Sequence, residues 1–185
     1  MRRIQLLMLL MCSLLIHSIY AEEVGAVIAP NAALSNPPTS TAEVKTATQA
    51  VSPIYIRTVK GDLNKIYQQV FTSLENNSYF IVFEPNIGKQ LERFKQRWGD
   101  NYNKNQLESI RSMVFCNTWY ANEVSNQDPT LLALCPMHIT FTEKQGIVTI
   151  LYIRPSQVAR GSKAEKLALE IEQDVVRAIE AGLNQ

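Results

Sequence analysis

Thiols, thioethers and imidazoles are the side chains of this chain that could ligate a soft metal or carry electrons, and beyond the first 21 residues they crowd into one window. Met113, Cys116, Cys135, Met137 and His138 all fall within residues 113–138. The remaining ones, Met1, Met8, Met11, Cys12 and His17, sit near the start. Thiolates and thioethers favour Cu(I), and imidazole accepts copper or zinc. Cys135-Pro136-Met137-His138 brings all three groups together, and Cys116 completes a candidate copper set of Cys116, Cys135 and His138. Strand geometry argues against a simple version of that site. Successive strand residues face opposite ways, so Met137 shares a face with Ile139 and Phe141, and His138 with Thr140 and Thr142. On this reading Met137 is a core residue and His138 a partly exposed one.

The two cysteines carry other readings as well. In an oxidising compartment an even count suggests a Cys116–Cys135 disulfide. Neighbouring strands could bring the two Cα atoms within the roughly 4.4–6.8 Å a bridge needs. The loop it closed, about 20 residues, would contribute around 3 kcal/mol. Two buried thiols acting as small hydrophobes are the competing reading, and a Cys–His pair with His138 is a third. No Cys-x-x-Cys occurs, and no Gly-x-Ser-x-Gly or glycine-rich phosphate loop is present. Glu84, Glu123 and Glu143 are scattered without a spacing that pairs them. No catalytic set emerges, which points away from an enzyme.

The elements that must position these residues follow from periodicity. Ile54–Val59 alternates in strand fashion. After Gly61-Asp62, with Asp62 as cap, Leu63, Ile66, Tyr67, Val70, Phe71 and Leu74 mark one buried helix face, stopped at Asn76-Asn77. Tyr79–Phe83 reads as a second strand, closed by Pro85. Residues 86–108 read as a basic helix with a stripe of Leu91, Phe94 and Trp98, and Trp98 is expected in the core. Ser109–Cys116 is the third strand and Asn117–Asn126 a helix. Asp128-Pro129 breaks the chain before Leu131–Leu134. Met137–Glu143 and Gly146–Ile153 form a hairpin across Lys144-Gln145. A last helix carries Leu167, Ile171, Val175, Ile179 and Leu183 on one face, with Ser162 and Glu165 as a capping box. The sum is an α+β domain: a sheet of about five strands with helices packed on it.

The N-terminal end sets the location. Met1-Arg2-Arg3, an apolar run from Ile4 to Ile19 and the small residue Ala21 make residues 1–21 a secretory signal, shorter than the roughly 20 apolar residues of a membrane span. Residues 22–53, rich in Ala, Ser, Thr and Pro, read as a disordered tether, and residues 54–185 as the folded domain. The full chain holds 18 basic and 17 acidic side chains. Losing Arg2 and Arg3 leaves 16 against 17, a net charge of −1, with no basic stripe for nucleic acid. A periplasmic or secreted protein follows, with no stable membrane span after cleavage.

Phe115-Cys116-Asn117, Ala121-Asn122-Glu123-Val124, Asp128-Pro129, Leu131-Leu132 and Pro136, followed by Ile139–Glu143 and Gly146–Ile153, form a pattern of their own. Over roughly residues 56–155 it resembles the domain of unknown function 302 family, small α+β domains of bacteria and archaea. The resemblance implies a fold but no agreed activity. Members often carry a cysteine directly after the proline that starts the fourth strand. Here that position is Met137, and Cys135 precedes Pro136 instead.

Two functional expectations stand side by side. The first is a non-enzymatic exported module that binds a small ligand or a periplasmic protein through the sheet face or the groove beside Asn117–Tyr120. Trp119, Tyr120 and Asn122 would supply aromatic and amide contacts, unless the aromatics are helix–sheet core, and no cofactor is required. The alternative is a redox- or copper-linked protein that uses Cys116, Cys135 and His138.

Overall fold

The computed structural model describes residues 51–185, so the expected signal and almost all of the expected tether lie outside the described residues. The domain opens with β1 (Ile54–Lys60), whose β-branched residues suit an extended backbone. Asp62 then caps α1 (Leu63–Asn76) by accepting a hydrogen bond from the Lys65 amide at 2.8 Å. The helix buries Leu63, Ile66, Tyr67, Val70 and Leu74, the i, i+3, i+4 stripe written in its sequence. Next come β2 (Phe80–Phe83), β3 (Ser109–Cys116), β4 (Met137–Lys144) and β5 (Ile147–Ile153). All pairings are antiparallel, in the order β1-β5-β4-β3-β2.

One face of this sheet is the core. Met113 and Phe115 of β3, Ile139 and Phe141 of β4, and Val148 and Ile150 of β5 are buried there. They meet α1 and the long C-terminal helix, which cover them; the Tyr67 and Phe141 rings lie 4.9 Å apart. The other face is more open, and Ile56 on it is 60% exposed. The β4–β5 hairpin turns at Gln145-Gly146, both with positive φ, one residue later than the expected Lys144-Gln145. Two successive positive-φ residues are what a tight, right-twisted hairpin turn requires, and Gly146 takes up the second at no steric cost.

Between β2 and β3 the single basic helix expected over residues 86–108 is broken. The chain forms α2 (Ile87–Glu92), α3 (Lys95–Trp98) and a 3-10 turn at Gly99–Asn101. Trp98 is not core: it is 39% exposed. The break comes at Arg93-Phe94, where the Phe94 amide bonds back to Leu91, the tight i−3 pattern, rather than continuing the α ladder. Phe94 and Trp98 then stack on each other, ring centroids 5.1 Å apart.

After β3, Asn117 caps α4 (Thr118–Gln127) through the Tyr120 amide at 3.1 Å. Asp128 ends α4 and caps a 3-10 turn at Pro129–Leu134. Pro155 both ends β5 and opens a short helix, α5 (Pro155–Val158), that its sequence did not announce. The C-terminal helix, α6 (Glu165–Leu183), starts later than a capping box at Ser162 would place it. The Ser162 hydroxyl is engaged by Asp128 at 2.6 Å, and the Glu165 carboxylate reaches back to the Gly161 amide at 2.9 Å. The box residues are both used, Ser162 ahead of the helix and Glu165 as its first residue.

Candidate functional site

Cys116 is the last residue of β3, and Cys135 joins the 3-10 turn to β4 through a cis Cys135-Pro136 bond. The two strands are immediate neighbours, paired over the seven positions from Ser109 to Phe115. That register carries the two thiols together: their Sγ atoms lie 3.1 Å apart, both free and half-buried. Burial, and then the neighbouring Cys116 sulfur, pushes the Cys135 thiol up from 9.0 to about 11. It therefore keeps its proton at neutral pH.

The thiols form part of the wall of a cleft of about 40 Å³ between α4, the 3-10 turn and α6. Tyr120, Ala121 and Val124 come from α4, where i, i+1 and i+4 spacing turns them to the same side. Leu131 and Leu134 come from the 3-10 turn, and Ala168 and Ile171 from α6. The lining is almost wholly apolar. Its one amide side chain, Asn117, accepts the Tyr120 amide with its Oδ1 as the α4 cap. The Tyr120 hydroxyl leaves the cleft to donate to Glu170 at 3.3 Å. Burial, with Asp174 and Glu170 nearby, raises the Tyr120 pKa, so this hydroxyl remains a neutral donor.

The sequence-predicted site residues divide accordingly. Cys116, Cys135 and Tyr120 meet in the cleft. Trp119, one residue before Tyr120, is on the outer side of α4 and 67% exposed, so it is not helix–sheet core. Asn122 is also exposed and donates to Glu123 at 3.1 Å. His138 is exposed on β4, opposite Val114. Among the described residues no three His, Cys, Asp or Glu side chains converge so as to hold a metal ion. Met137 reaches the cleft, but its sulfur accepts the Tyr152 hydroxyl at 3.3 Å.

A second polar centre had no sequence signal. Glu172 of α6 is buried and takes the Arg154 guanidinium at 2.6 Å. It also accepts from the Ser156 hydroxyl, and from the Ser156 amide at 3.3 Å. These bonds tie the β5–α5 corner to α6, which forms one side of the cleft.

Comparison with known proteins places this arrangement. The family model described as a domain of unknown function, DUF302, matches residues 55–182. The chain belongs to the DUF302 family. A crystal structure of an uncharacterized conserved DUF302 protein from Bacillus stearothermophilus shares the fold, with a TM-score of 0.60 at 14% sequence identity. The match covers 71% of this chain and 98% of that one. No curated protein matches the chain. Membership in DUF302 accounts for the antiparallel five-stranded sheet under two helices and leaves the chemistry to the residues themselves. No helix among the described residues is long and apolar enough to cross a membrane.

Proposed function

We propose that this DUF302 domain is an exported, periplasmic, non-enzymatic module that grips a protein partner by seating one apolar side chain in the cleft beside Cys116 and Tyr120. The observation that carries this reading is the size and dryness of the cleft. Pockets that bury a whole small ligand run to roughly 300–1,000 Å³. A space of about 40 Å³ takes the tip of a Leu, Met or Val side chain and no more. Walls that are almost wholly apolar hold water poorly. Each methylene transferred there would contribute about 0.8 kcal/mol. Trp119 on α4 and Leu132 on the 3-10 turn leave further apolar surface exposed on two of the elements that form the cleft. Export rests on the signal-like residues 1–21, and the tether-like stretch behind them suits a domain that reaches toward a partner.

A calorimetric titration with short peptides that differ only in one central residue tests the reading. Peptides carrying Leu or Met are expected to bind saturably, and the Ser peptide is not. Ala121→Leu, which fills the cleft from α4, should abolish the Leu-peptide signal while leaving the thermal midpoint in place. Equal binding of the Ser peptide, or full binding by Ala121→Leu, would contradict it.

A further inference from the structure

The cysteine pair does not depend on the cleft having an occupant. Both thiols lie at ends of regular elements, Cys116 at the close of β3 and Cys135 just ahead of β4. A disulfide needs the sulfurs at about 2.05 Å. The sulfurs start 3.1 Å apart, and neither cysteine is a paired position of the β3–β4 ladder, so closing the gap need not unmake it. That ladder also means that the fold is held together whether or not the bond exists. Both residues are half-buried rather than sealed, so a reagent can reach them. Apolar walls on one side and partial exposure on the other make this a place where thiols meet a partner molecule, and not merely a filled core.

We propose that Cys116 and Cys135 form a reversible dithiol–disulfide exchange site, oxidised by a disulfide-bearing compound and reduced again by a dithiol. In the first step one of the two thiols, Cys116 for example, gives up its proton and its Sγ attacks one sulfur of R–S–S–R′. The R–S–S–R′ bond breaks, a Cys116–S–S–R bond forms, and R′–S⁻ leaves and takes that proton. Cys135, adjacent to the mixed disulfide, then loses its proton and attacks the Cys116 sulfur. The Cys116–Cys135 bond forms, and R–S⁻ leaves with the second proton. The pair has lost two electrons and two protons, and the oxidant has gained both as two thiols. Reduction by a dithiol runs the same steps backwards. Either cysteine can take the attacking part, because both are half-buried and their sulfurs lie 3.1 Å apart.

The test is an intact-mass titration of the protein, produced from its full-length chain, across a series of reduced-to-oxidised glutathione ratios without denaturant, quenched with acid. The expected result is a loss of two hydrogen masses that follows the ratio and has the same midpoint from either direction. Cys135→Ser should trap a glutathione mixed disulfide on Cys116. Cys116→Ser should trap one on Cys135. A bond that forms but cannot be reduced without denaturant would make the pair a fixed staple and overturn the proposal. Thiols that stay free at every ratio would overturn it too, leaving two packed hydrophobes. A single variant that forms no mixed disulfide at any ratio would overturn it as well.

Discussion

Glu172 shows how much one residue can hold. Its carboxylate is buried and bonded to Arg154 and Ser156, so it serves three donors from a neighbouring corner of the chain. Removing one partner of a buried ion pair leaves the other charged and desolvated, at a cost of about 3–5 kcal/mol. Glu172→Gln is therefore expected to lower the unfolding free energy by about that much in urea titration, whereas the exposed pair Arg177–Asp174 should be worth under about 1 kcal/mol by the same measurement. Cys135 sets a pH dependence. Its folded pKa is raised above 9.0 to about 11, so the folded state holds a proton that the unfolded chain releases. Stability from this group is fully present below pH 9 and is lost as pH climbs toward 11. In reduced protein the fall in thermal midpoint between pH 9 and 11 should be shallower for Cys135→Ala than for the wild type; parallel curves would mean that the thiol is not perturbed. Cys116 and Cys135 were legible as a pair because strand alternation and two flanking strands already suggested their approach. Glu172 was not, because nothing in its own helix distinguishes it from an exposed acid until Arg154 and Ser156 arrive from the β5–α5 corner.

Elements differ in how openly they announce themselves, for physical reasons. Helix α1 carries its cap, its buried stripe and its stop within about fifteen residues, so local rules suffice. The β4–β5 hairpin alternates strongly enough that only its turn moved, and by one residue. Residues 86–108 failed because a stripe of Leu91, Phe94 and Trp98 can satisfy itself by stacking two aromatics on the surface, without any helix continuing through it. The α6 stripe was read as Leu167, Ile171, Val175, Ile179 and Leu183, but its most intimate contact comes from a residue with no side chain. A Cβ on Gly182 would stand 2.8 Å from the Gln69 carbonyl oxygen and 3.0 Å from the Val70 Cα of α1. Backbone atoms cannot swing aside, so α1 and α6 would have to part. Ala normally improves a helix interior by about 1 kcal/mol over Gly. Here Gly182→Ala is expected to lose about 1–3 kcal/mol instead, as overpacking does. A gain in the thermal midpoint would show that the two helices do not cross this closely.

At the scale of the whole molecule, the five-stranded antiparallel sheet does two things. It buries Met113, Phe115, Ile139, Phe141 and Ile150 beneath α1 and α6, and at one end it leaves a gap where α4 and the 3-10 turn, rather than a long helix, meet the sheet. The cysteines lie in that gap. Most of the site could be read along the chain: Cys116, Cys135 and Tyr120 stand on the elements around residues 116–137. Ala168 and Ile171 come from more than thirty residues downstream, on a face that looks in sequence like any other buried stripe. His138 was close in sequence and ended exposed on β4, since proximity along a strand sends neighbours to opposite faces. That cleft is the proposed place of contact. Its most direct test is a map of amide chemical-shift changes as the Leu-bearing peptide is added to labelled protein. Saturable shifts concentrated on Tyr120, Val124, Leu131, Leu134 and Ile171 are predicted, and they should vanish in Ala121→Leu. Shifts confined to the open sheet face around Ile56 and Leu151, or none that saturate, would contradict it.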